Sequence, residues 1–125
     1  MIRNDGSVNL VGSIAGYIGV RGYSTYSATK AALRSYTRTW TREFNDRGIR
    51  FNTLSPGPID TPILDGQADT VEAANDLKAQ FAAAVPLNPL GRPEEIAAAA
   101  LFLASDNSSF VAGVELGVDG GMAQV

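Results

Sequence analysis

The chain has 125 residues, 45% hydrophobic and 18% charged, a balance that suits one ordinary globular domain and excludes disordered, collagen-like and membrane-spanning classes. A net charge of −3 argues against nucleic acid or an anionic membrane as partner, and no apolar run approaches the roughly 18 residues of a membrane helix. Histidine and cysteine are both absent, which removes Ser-His-Asp triads, thiol nucleophiles and zinc-cysteine sites, so no metal site is expected.

In chain order, "MIRNDGS" lacks the apolar stretch of a secretory signal, and a soluble, cytoplasmic protein is expected. A short β-favouring run between glycines, Ser7–Val11, predicts a buried strand followed by a loop. Ser24 is positioned to cap a helix running from Thr25 to Phe44 or Asn45, with Leu33, Tyr36, Trp40 and Phe44 on one apolar face and Gly48 as its stop. Arg34, Arg38 and Arg42 form a stripe that reads as a solvated face. Ile49, Phe51 and Leu54 predict a second strand, broken by Pro56 and Gly57. Asp69 and Glu72, at capping-box spacing, precede a helix that extends to Ala84; Pro93 opens another, with two acids in its first turn. The acids Asp65, Asp69, Glu72 and Asp76 read as a solvated face. Val114 to Val118 predicts a last strand before "DGG". Strands alternating with helices indicate an α/β domain with a parallel sheet.

Tyr26-x-x-x-Lys30 places a phenol and an ammonium one turn apart on one helix face, where the cation favours phenolate and equips the tyrosine for proton exchange. Two residue types at one spacing recur by chance, and a surface pair is the plain alternative. Ser13 follows the first strand's carboxyl end, where open α/β sheets form their ligand crevice, and its hydroxyl could hold a substrate oxygen. The Pro-Gly-Pro turn after the second strand offers Ile59 backbone groups and the Thr61 hydroxyl at the same sheet edge. Gly12-x-x-x-Gly16-x-x-Gly19 imitates a phosphate loop, yet "VRGY" rather than a helix follows it. Tyr23, Tyr36 and Trp40 read as packing residues.

Taken together, Ser13, Tyr26-x-x-x-Lys30, Pro56-Gly57 with Ile59-x-Thr61, "GRPEEIAAAALFLASD" and "VDGG" resemble the carboxyl-terminal half of a short-chain dehydrogenase/reductase. The resemblance implies a partial Rossmann-like, doubly wound parallel sheet of about three strands and three helices. It gives Tyr26 the role of general acid-base, Lys30 that of tuning the tyrosine and holding the nicotinamide ribose, and Ser13 that of binding the reacting oxygen. It assigns Pro56, Gly57, Ile59 and Thr61 to the nicotinamide carboxamide. The implied reaction is hydride transfer between NAD or NADP and a small-molecule alcohol or carbonyl, in a homo-oligomer or in association with intact subunits. The family's glycine-rich cofactor turn is not found among the 125 residues, so a single truncated domain with weak or absent cofactor binding is expected. A non-catalytic module or remnant that associates with intact subunits is the alternative.

Overall fold

A computed structural model of the protein describes residues 4–125. Strand β1 spans Ser7–Val11, β2 Arg50–Pro56 and β3 Glu115–Val118. They form one parallel sheet in the order β1-β2-β3, with Ser7 opposite Arg50 and Thr53 opposite Glu115. Helix α1 spans Ser24–Glu43, α2 Pro62–Asp65, α3 Val71–Ala84 and α4 Pro93–Ala104.

The central strand decides how the layers assemble. Residues 51–55 are all buried, yet three of them, Asn52, Thr53 and Ser55, are polar and fully enclosed. A buried parallel strand ordinarily reads as a continuous apolar run, and here each polar group is held by a partner. Asn52 donates to the Val111 carbonyl at 3.0 Å and accepts from the Val114 amide at 3.1 Å, fixing the approach to β3. The Thr53 and Thr37 hydroxyls meet at 2.6 Å, joining β2 to α1. Ser55 donates to the Glu115 carboxylate at 3.1 Å.

Alternation along β2 separates two faces. Phe51 and Thr53 face α1, where Trp40 and Phe44 set their rings 5.7 Å from Phe51. Arg50 and Asn52 face the opposite side, where Arg50 donates to the Ser105 and Ser108 carbonyls and Leu103 of α4 is completely buried. Helices on both faces give the doubly wound arrangement that the sequence predicts.

Several local expectations are corrected: β1, expected to be buried, is only half-buried and leaves Val11 exposed. Ser24 lies inside α1; Tyr23 occupies the cap position and supplies no side-chain bond. The Asp69–Glu72 capping box does not form: Thr70 caps α3, its hydroxyl accepting from the Ala73 amide at 3.0 Å. The box chemistry appears instead at α4, where the Glu95 carboxylate accepts from the Arg92 amide at 3.0 Å. The sheet-facing centre of α1 is Thr37 rather than an apolar residue, and Tyr36 stands half exposed beside Trp40. Arg34 leaves the solvated arginine stripe to donate to the Gly113 carbonyl, and burial lowers its pKa from the ordinary guanidinium value. The four-residue α2 is an additional helix, opened by Pro62 at its first turn.

Candidate functional site

Three elements meet at the carboxyl ends of β1 and β2. After β1 the chain turns at Ser13, whose hydroxyl accepts from the Ala15 amide at 3.1 Å and starts a single 3-10 turn, Ile14–Gly16. That turn seats against α1 because Gly16 has no side chain: a Cβ there would lie 3.1 Å from the Ala31 amide nitrogen. Gly16 therefore serves close packing, and Gly19 borders open space.

The packing brings the first turns of α1 beside Ser13. Lys30 donates its ammonium to the Val11 carbonyl at 3.2 Å, anchoring the helix to the end of β1. The same ammonium lies 5.7 Å from the centre of the Tyr26 ring. Tyr26 is 48% exposed, and its ring tilts against Tyr23 at 5.8 Å between centroids.

Ser13, Tyr26, Pro56 and Gly57 line one cleft of about 170 Å³. Its other walls come from distant segments: Ile18, Val20 and Tyr23 before and at the start of α1, Leu64 of α2, Phe81 of α3 and Met122 beyond β3. Tyr23, read from the sequence as packing, thus belongs to the cleft wall. No periodicity could have found Leu64, Phe81 or Met122, because tertiary folding alone brings them together.

Ile59 and Thr61 lie outside this cleft lining. Ile59 forms a parallel bridge with Gly91 and lines a neighbouring cavity of about 320 Å³. The bonds beside that bridge use the Asp60 amide and the Pro58 carbonyl, not the peptide groups of Ile59. Thr61 occupies the cap position of α2 in extended conformation, without a side-chain capping bond. The larger cavity contains neither Ser13, Tyr26 nor Lys30, so its size does not make it the reactive site.

Two further contacts hold the walls. Lys78 of α3 bridges Asp60 at 3.1 Å and Asp65 at 2.9 Å, clamping the segment that carries Leu64; hydrogen bonds to Asp65 and then Asp60 raise the lysine pKa. Behind Met122, buried Asp119 accepts from the Gly121 and Ala123 amides, each at 2.9 Å. Tyr17 stands nearby; burial first, then the Asp119 charge, push its phenol pKa upward against a Gln124 hydrogen bond.

Beyond the strand ends of the parallel sheet, then, lies a cleft with a phenol and a serine hydroxyl in its lining and an ammonium beside the phenol. A family model described as Enoyl-(Acyl carrier protein) reductase matches residues 1–123. The chain is 44% identical over 120 residues to Oxidoreductase asL5 of Sarocladium schorii, covering 96% of this chain and 46% of that protein. It is 38% identical over 120 residues to the 3-oxoacyl-[acyl-carrier-protein] reductase FabG of Thermotoga maritima, with the same 96% and 46% coverage. The crystal structure of a short chain dehydrogenase family protein from Francisella tularensis superposes with a TM-score of 0.89 at 28% identity, covering 98% of this chain and 53% of that one. The chain belongs to the short-chain dehydrogenase/reductase family and spans about half the length of the curated relatives it matches.

Proposed function

We propose that the protein is an NAD(P)-dependent oxidoreductase that interconverts an alcohol and a carbonyl, with Tyr26 exchanging the proton. The observation that carries this reading is that Ser13 and Tyr26 line one cleft while the Lys30 ammonium stands beside the Tyr26 ring. During carbonyl reduction Tyr26 gives its hydroxyl proton to the substrate oxygen, and during alcohol oxidation its phenolate takes that proton back. Ser13 hydrogen-bonds the same oxygen and orients it. Lys30 stabilises the phenolate electrostatically while the Val11 carbonyl holds its amine in place.

The donor set suits a nicotinamide nucleoside. One proton of the Lys30 ammonium goes to Val11, and two remain for ribose hydroxyls. Pro56 and Gly57, at the end of β2, line the same cleft, and Ile59 and Thr61 follow them in the chain outside its lining. When bound, NAD(P) supplies or accepts the hydride, and the chain contributes orientation and the proton. An oligomer fits the same reading, because α1 leaves Tyr36 half exposed beside the groove containing Trp40.

The reading is tested with Lys30→Met. Loss of the ammonium should lower kcat and raise the KM for NAD(P), because one charge serves both the reacting phenol and the ribose. An unchanged kcat together with an unchanged cofactor KM would refute these roles.

A further inference from the structure

We infer that Tyr17 and Gln124 are positioning residues that latch the turn carrying Ser13 to the segment after β3, so that the Ser13 hydroxyl and the Met122 side chain keep their places in the cleft. The inference rests on the oxidoreductase reading and adds two residues that act on the reaction without touching substrate.

The turn that carries Ser13 depends on such a hold. The Ser13 oxygen already accepts from the Ala15 amide at 3.1 Å, so the direction left for its own proton follows from where the turn sits. On one side Gly16 seats the turn against α1. On the other, the next residue, Tyr17, reaches across to the end of β3. There its phenol oxygen, the Gln124 side-chain nitrogen and Asp119 Oδ2 converge above Gly117: a Cβ on that glycine would lie 2.8, 3.2 and 3.9 Å from them, respectively. The Gln124 amide donates to the Tyr17 oxygen and, at 3.3 Å, to Asp119 Oδ2, and its two protons suffice for both.

The far end of the latch is equally organised. Asp119 accepts from the Gly121 and Ala123 amides, while the Met122 and Gln124 amides donate to the Asp119 and Gly121 carbonyls at 3.1 and 3.0 Å. Met122 lies among these bonds and lines the cleft, as do Ser13 and Ile18 from the turn. The contact of Tyr17 with Gln124 therefore joins two cleft walls from opposite ends of the chain. Neither residue belongs to the cleft lining, so their effect passes through Ser13 and Met122. A misaimed Ser13 costs rate rather than cofactor binding, because Ser13 holds the reacting oxygen and Lys30 the ribose.

The test pairs a mutant cycle with hydrogen exchange. Steady-state reduction of acetoacetyl-CoA and of cyclohexanone by NAD(P)H is measured for wild type, Tyr17→Phe, Ser13→Ala and the double variant, with Gln124→Leu as a second way to open the latch. Tyr17 is 42% exposed and the substitution removes one oxygen, so the fold should survive. Tyr17→Phe should lower kcat for the faster of the two reductions by about tenfold and leave the KM for NAD(P) unchanged. In the Ser13→Ala background it should cost less than about twofold, since the positioned hydroxyl is already gone. Losses that multiply in full would overturn the positioning role and leave the oxidoreductase reading intact. Exchange needs no turnover: the Gly16 and Tyr17 amides, which close the turn, and the Met122 amide should exchange faster in Tyr17→Phe. Unchanged exchange at both ends would overturn the inference. Faster exchange at both ends in a protein that reduces neither ketone would support the latch and count against the oxidoreductase reading.

Discussion

Replacing Asp119 by Asn should destabilise the protein by about 2–4 kcal/mol near neutral pH. Asp119 is 7% exposed, and its two carboxylate oxygens accept from the Gly121 amide at 2.9 Å, the Ala123 amide at 2.9 Å and the Gln124 side-chain amide at 3.3 Å. Asn preserves the shape but replaces one oxygen with an NH2 group, so in the native rotamer at least one backbone donor faces another donor. The loss combines a charge-assisted hydrogen bond, worth about 1.5–3 kcal/mol, with the cost of leaving an N–H buried and unpaired. The pH dependence follows from the same contacts. Burial pushes the carboxyl pKa up, and the three donations outweigh it, leaving it below the ordinary 3.8. The charged form therefore contributes its stability above the unfolded value, and that contribution is lost as pH falls through the folded value. Urea denaturation followed by fluorescence of Trp40, the only tryptophan, measures both effects. A loss below about 0.5 kcal/mol, the range of an ordinary surface change, would refute the argument. So would a gap between wild type and variant that stays constant into strong acid.

Gly57→Ala should destabilise the protein by about 1–3 kcal/mol, because its Cβ would sit 2.7 Å from the Asp119 Cβ and 2.8 Å from the Asp119 Cα. Wild-type thermal stability in this variant would mean that β2 and the segment after β3 are not in such close approach. Lys78→Met should release α2 by removing the ion pairs to Asp60 and Asp65. Faster hydrogen exchange at the Leu64 and Gly66 amides, which close the turn onto Thr61 and Pro62, would register the release; unchanged exchange would contradict the clamp.

The sheet was legible because its cues are local. Ser7–Val11 lies between glycines, Pro56 and Gly57 end β2, and Pro93 opens α4 where a proline costs no intrahelical hydrogen bond. Capping was less legible, since Asp69, Thr70 and Glu72 are neighbouring candidates and only backbone geometry selects Thr70. The inner face of α1 was legible only in part: Trp40 and Phe44 do pack on Phe51, while Tyr36 stays half exposed. Apolar periodicity marks Leu33, Tyr36, Trp40 and Phe44, but the helix centres on Thr37, whose burial is offset by its bond to Thr53, a partner 16 residues away. The candidate site divides in the same way. Ser13, Tyr26 and Lys30 stand out by type and spacing, and the fold gathers them at the end of β1. The walls were invisible, since Leu64, Phe81 and Met122 are ordinary apolar residues until α2, α3 and the segment after β3 converge.

The central claim is that the Tyr26 hydroxyl is the proton-exchanging group of an alcohol-carbonyl oxidoreductase. It is tested most directly by comparing single-turnover NAD(P)H oxidation by wild type and Tyr26→Phe, with circular dichroism verifying that both are folded. Tyr26 is half exposed and the substitution removes one oxygen, so the fold should survive. The rate should fall by about 10²–10⁴-fold, the usual contribution of a positioned acid-base group. A phenylalanine variant retaining more than about 5% of the wild-type rate would lie far outside that range and would contradict the assignment.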